Sequence, residues 1–169
     1  MLGEKNLVLI GMPGTGKSTV GVILAKTLSR PFLDTDIYIQ TREARSLQVI
    51  ILERGIDHFK SLEESHILSL DCRGCVVATG GSVVYSRRAM DHLRSGGVIV
   101  HLDLSLPLIE KRILNMDARG IVRAAGQDLA ELYRERKPLY ERYADVRVSC
   151  DHKGHEEVIR EVLSLITPS

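Results

Sequence analysis

The stretch "GMPGTGKST", residues 11–19, sets glycines, a lysine and two hydroxyl side chains in the spacing G-x-x-x-x-G-K-[ST]. Gly11, Gly16, Lys17 and Ser18 occupy the defining places, and Gly14, Thr15 and Thr19 complete a candidate nucleotide-binding set. Glycines allow successive backbone N–H groups to converge on phosphate oxygens, and a helix beginning at Lys17 adds the positive end of its dipole. Lys17 can reach β- and γ-phosphates, and the Ser18 hydroxyl can ligate Mg²⁺. This loop calls for a nucleoside triphosphate. It leaves open what receives the phosphate.

A second chemical signal lies in "PFLDTDIYI", residues 31–39. Asp34 and Asp36 stand one residue apart between apolar stretches, and buried unpaired carboxylates are costly, so they must meet water, a cation or a polar ligand. In an extended chain, positions i and i+2 project to the same side. The competing local reading is a pair of turn and helix-capping aspartates, since Asp36 precedes the apolar-periodic "IYIQ".

These groups need a scaffold. "NLVLIG" (6–11), "FLD" (32–34), "CVVAT" (75–79), "GVIVHLDL" (97–104) and "VRVSC" (146–150) read as five short buried strands. Helical patterns fall between and after them at roughly 17–29, 46–54, 57–69, 86–94, 106–116, 128–142 and 154–166. Alternating strands and helices predict an α/β three-layer fold, with a five-stranded parallel sheet covered by helices on both faces. Ligands of such a sheet bind beyond the carboxyl ends of its strands, where the glycine loop and Asp34 both fall.

A length of 169 residues fits one domain. Lys plus Arg number 23 against 22 for Asp plus Glu, a balance that argues against nucleic acid as a partner. No apolar run approaches ~18 residues, and the N-terminus lacks the form of a signal peptide, so a cytoplasmic location away from membranes is expected. Cys72, Cys75 and Cys150 do not form an even disulfide framework. "CRGC" (72–75) has no second ligand pair for a four-coordinate zinc and reads as a turn before a strand. His58, His66, His92 and His101 show no metal-binding spacing.

Four features in order resemble the shikimate kinases, relatives of the nucleoside monophosphate kinases. They are the phosphate loop, "LDTD" after the second strand, "ATGGS" (78–82) after the third, and "ARGIV" (118–122) followed by "RERKPLY" (134–140). The resemblance spans about residues 6–149 and implies a single P-loop kinase domain, likewise 1–169, with a mobile lid at about 115–128. It implies transfer of the ATP γ-phosphoryl group to shikimate, with Mg²⁺ as cofactor, by a monomer serving aromatic amino acid biosynthesis. The catalytic residues it implies are Lys17, Asp34 and Arg119. Arg112 would pack on adenine and Arg119 would reach the ATP phosphates from the lid. Ser18 and Asp34 would serve the metal. Asp36, Lys60, Gly80, Gly81 and Arg136 would bind the acceptor, the two glycines through backbone N–H groups and Arg136 through its carboxylate.

Three positions depart from the family pattern. "FKSLE" puts Lys60 where the family has an arginine, which keeps the charge but loses the bidentate fork. Ser82 takes the third place of a glycine triplet, and Gly120 replaces a lid proline beside an additional cation, Arg123. Two other readings therefore stay open: a P-loop kinase of the same fold with a different hydroxylated acceptor, and a nucleotide-binding regulatory module that transfers nothing.

Overall fold

Apolar side chains fill both faces of the central strand. Leu7, Val8, Leu9 and Ile10 are consecutive, point alternately to opposite sides, and are all fully buried. Only a sheet covered on both faces accepts such a run. The computed structural model describes residues 2–113 and 121–166. Its five strands are β1 (Asn6–Ile10), β2 (Phe32–Asp34), β3 (Val76–Ala78), β4 (Gly97–Asp103) and β5 (Val146–Ser149). They pair in parallel in the order β2-β3-β1-β4-β5, which agrees with the expected α/β class.

The helices are α1 (Lys17–Leu28), α2 (Thr35–Glu43), α3 (Leu47–Arg54), α4 (Ile56–Leu68), α5 (Arg87–Gly96), α6 (Leu106–Ile113), α7 (Leu129–Tyr143) and α8 (His155–Ile166). α1 packs against α8, and α4 packs against α5. A separate apolar cluster joins Ile39 of α2, Leu47 and Ile50 of α3, Phe59 of α4 and Val122. That cluster places the back of the expected lid segment over α2–α4. No described helix is long and apolar enough to cross a membrane.

One helix was not anticipated. The chain does not stay extended after Asp34; it turns at once into α2, so Asp36 lies in the first helical turn. The cause is local: Asp34 Oδ1 accepts the backbone N–H groups of Asp36 at 3.0 Å and Ile37 at 3.3 Å, capping the helix. The i, i+2 extended-chain geometry is thereby corrected, and of the two aspartates Asp34 is the cap.

"CRGC" forms the turn into β3. Asn6 clamps it, donating from Nδ2 to the Cys72 carbonyl at 2.8 Å and accepting the Cys75 N–H at 2.9 Å. All three cysteines are free thiols, and among the described residues no cluster of three or more His, Cys, Asp or Glu is placed to hold a metal.

Candidate active site

The carboxyl ends of β1, β2 and β3 open into a cleft of about 830 Å³. Its walls include Gly16, Lys17 and Ser18 from the phosphate loop, Asp34 and Asp36, and Thr79–Ser82. Arg112 and Arg136 line it as well. A loop at β1, an edge at β2 and a turn at β3 come from distant parts of the chain, and parallel pairing aligns their ends.

The phosphate loop is ordered from within. Thr15 donates its hydroxyl to the Met12 carbonyl at 3.0 Å, and Gly16 leads into α1 with φ 91°. Gly11 and Gly14 also have positive φ, while Thr19 sits in the first turn of α1 on the cleft wall. Lys17 is buried, and its Nζ donates to the carbonyls of Gly11 and Met12, each at 2.8 Å. Burial lowers its pKa to about 8, assisted by Arg136 and opposed by Asp36 and Asp34. Arg112 donates to the Gly14 carbonyl at 3.1 Å, at the nucleotide end of the cleft.

Ser18 donates its hydroxyl to Asp34 Oδ2 at 2.5 Å. The two Asp34 oxygens therefore divide their work, Oδ1 capping α2 and Oδ2 meeting Ser18. A hydroxyl and a carboxylate edge side by side at a phosphate loop suit a hard divalent cation, which takes its other ligands from phosphate oxygens and water.

The acceptor side is built around two glycines. A Cβ on Gly80 would lie 2.6 Å from Asp36 Oδ1 and 2.7 Å from Glu63 Oε1, so only glycine fits between these carboxyl groups. The Gly80 N–H itself donates to the Thr35 hydroxyl at 3.0 Å. Its expected contribution of an N–H to the acceptor is thus corrected: Gly80 supplies space. Arg136 Nη1 lies 2.9 Å from where a Cβ of Gly81 would be, and Tyr140 donates its hydroxyl to the Gly81 carbonyl at 2.6 Å. Arg136 and Tyr140 are i and i+4 on α7 and therefore share a face.

Arg136 is only 1% exposed, which excludes a solvated helix charge. Its Nε donates to the Tyr85 hydroxyl at 3.2 Å and its Nη2 to the Val122 carbonyl. Lys60, one turn before Glu63 on α4, does not line the main cleft. Its Nζ stands 4.2 Å over the Tyr85 ring, in a smaller hollow shared with Glu63 and Ser82. A cation–π contact holds it there, beside the Arg136 guanidinium at 5.2 Å from the same ring. Arg119 and the first half of the expected lid lie outside the described residues.

Three participants escaped the sequence. Glu63 and Tyr140 reach the site only through tertiary packing. His155 stands at the start of α8, with Nε2 3.5 Å from where a Cβ of Gly16 would be, and lines the cleft near Arg112. A histidine following "DHKG" carries no local mark of that position.

Asp36 illustrates the electrostatic cost of this arrangement. Burial, with Asp34 adding to it and Lys17 opposing, raises its pKa to about 6. A raised acid binds more protons folded than unfolded, so its stabilising contribution is complete below about pH 3.8 and lost as pH rises through about 6. Asp36→Asn is expected to raise the melting temperature by a few degrees at pH 8, and by less at pH 5. An equal gain at both pH values would contradict a perturbed carboxyl.

The chain matches the "Shikimate kinase" family model over residues 13–167. It is 34% identical to a shikimate kinase of Sulfurihydrogenibium sp. over 163 residues, covering 96% of this chain and 98% of that protein. It is 36% identical to a shikimate kinase of Pseudomonas syringae pv. tomato, covering 95% of each. Among solved structures, the shikimate kinase of Acinetobacter baumannii in complex with shikimate superposes with a TM-score of 0.88 at 27% identity, covering 98% of this chain and 94% of that one.

Proposed function

Because the chain belongs to the shikimate kinase family, we infer that it transfers the γ-phosphoryl group of ATP to a hydroxyl of shikimate, yielding shikimate 3-phosphate and ADP. The observation that carries this reading is one cleft holding the phosphate loop at one end and Asp36 with a buried Arg136 at the other. A phosphate-binding half and a half suited to a hydroxylated carboxylate are thus within one enclosure.

Each residue's part follows from its chemistry. Lys17 neutralises charge on the transferring phosphoryl group, and the loop amides hold the remaining phosphate oxygens. Asp36 accepts hydrogen bonds from acceptor hydroxyls, while Arg136 offers a guanidinium edge to the carboxylate. Asp34 orients the metal side and is close enough to the cleft to order an acceptor hydroxyl. Ser18 and Asp34 would hold a divalent cation, Mg²⁺ in this reading, which when bound spreads negative charge from the β- and γ-phosphates. Arg112 flanks the nucleotide, and Arg119 is assigned to the ATP phosphates from the lid. Catalysis is then positioning and charge neutralisation, with no covalent intermediate on the protein. ATP, ADP and shikimate are the partners of this reading, in a monomer acting in the cytoplasm within aromatic amino acid biosynthesis.

Lys60 gives the acceptor end its particular character. With its ammonium over Tyr85, recognition of the carboxylate falls mainly on Arg136. ADP release that depends on both shikimate and Mg²⁺ is expected in a coupled assay. Turnover with related polyols but none with shikimate would overturn the substrate; no acceptor-dependent ADP release at all would overturn the enzyme.

A further inference from the structure

Arg136 is a buried cation that belongs to none of the ion pairs among the described residues. A charge in that condition is held by hydrogen bonds and by a ligand of opposite sign. Its Nη2 donates to the Val122 carbonyl, and its Nη1 lies beside Gly81 on the cleft wall. That leaves Nε, which donates to the Tyr85 hydroxyl at 3.2 Å.

The partners of this hydroxyl fix what it does. A guanidinium offers only donors and a carboxylate only acceptors. Tyr85 therefore gives its one proton to Glu135 Oε1 and receives Arg136 on its oxygen. Glu135 is oriented in turn, because Gln127 Nε2 donates to its Oε2 at 2.9 Å. The Gln127 amide is itself set by the Ala124 N–H, which its Oε1 accepts at 3.2 Å. A one-way chain of hydrogen bonds thus runs from Arg136 through Tyr85 and Glu135 to the segment before α7, and each link polarises the next. Tyr85 does not line the main cleft, and its ring carries the Lys60 ammonium at 4.2 Å.

We propose that Tyr85 is a positioning residue for acceptor recognition: its hydroxyl, backed by Glu135, holds the Arg136 guanidinium with Nη1 toward the cleft, while its ring keeps Lys60 aside. Standing between Arg136 and Glu135, the hydroxyl passes on the influence of the carboxylate without a direct ion pair. A direct pair would draw the charged edge of Arg136 toward Glu135 and away from the acceptor. Without the hydroxyl, the guanidinium is free to pivot about its Cδ–Nε bond, and the geometry that matches a carboxylate plane is lost. One aromatic residue outside the cleft therefore sorts two cations, giving one to the acceptor and withholding the other.

The kinetic side of this assignment rests on the carboxylate-bearing acceptor inferred above, and its structural side does not, so two measurements separate them. The first is the shikimate KM under saturating ATP. Tyr85→Phe keeps the ring under Lys60 and removes only the hydroxyl; it is expected to raise KM about tenfold, with kcat within about twofold and the KM for ATP unchanged. In the Arg136→Lys background the same substitution is expected to add less than about twofold, since the group it positions is gone. Tyr85→Phe effects that multiply fully with those of Arg136→Lys, or that fall on kcat rather than KM, would overturn the positioning role. The second measurement needs no substrate: the exchange of the Arg136 Nε–H with water, read by nuclear magnetic resonance and assigned by its loss in Arg136→Lys. Tyr85→Phe is expected to speed that exchange about tenfold or more. Equal exchange in wild type and Tyr85→Phe would show that the hydroxyl does not hold Arg136. Wild type without shikimate-dependent ADP release would remove the substrate reading alone, and the exchange rates would still decide what fixes Arg136.

Discussion

Lys17→Met is expected to lower kcat by on the order of 10²–10³ with little change in melting temperature. The Lys17 ammonium is the sole loop cation placed where the β- and γ-phosphates would lie, and it is buried where little water competes. In such a site a fixed charge acts on developing negative charge at full strength. Methionine fills nearly the same volume, so the main loss is the charge and its two hydrogen bonds to the Gly11 and Met12 carbonyls. A pH profile sharpens the test. With its pKa lowered to about 8, Lys17 begins to lose its proton just above neutrality. Wild-type kcat/KM for ATP should therefore fall on the alkaline side through about pH 8, a limb that the methionine variant lacks. Steady-state kcat within tenfold of wild type would remove Lys17 from the transition state.

Arg136→Lys is expected to raise the acceptor KM roughly 100-fold, with kcat less affected. The substitution keeps a positive charge, so its cost isolates geometry. The guanidinium presents Nε to Tyr85, Nη2 to Val122 and Nη1 toward Gly81, three directions from one rigid plane. A lysine ammonium is a point charge on a flexible stem and cannot reproduce that fork. About two charge-assisted bonds are at stake, each worth roughly 1.5–3 kcal/mol. With Lys60 resting on Tyr85, no second cation from α4 lines the cleft to soften the loss. Measured KM within threefold of wild type would show that the carboxylate is recognised elsewhere, and Lys60 would be the first residue to examine.

Legibility followed sequence distance. The loop of residues 11–19 and the strands on either side of it are contiguous patterns, and the structure reproduces the five parallel strands. α2 was hidden because "FLDTD" looks like a strand continuing, whereas Asp34 turns its own side chain onto the Asp36 and Ile37 amides. The information was local, but two local readings competed, and the capping one decided the backbone. Gly80 was visible as a glycine and misassigned in role, since the Thr35 hydroxyl that takes its N–H is 45 residues away.

The sequence by itself determined the phosphate-binding chemistry and the layered fold that presents it. Both depend on residue spacing over a few positions and on the two-sided apolarity of short strands. Only the tertiary structure decided the acceptor end. Arg136 is buried against Tyr85 while Lys60 is drawn onto the same ring, and Ser82 meets Glu63 across 19 residues. Which cation lines a cleft, and which carboxyl is pushed to a higher pKa, are set by burial and by approaches between distant segments. Those quantities come into being only when the chain is packed.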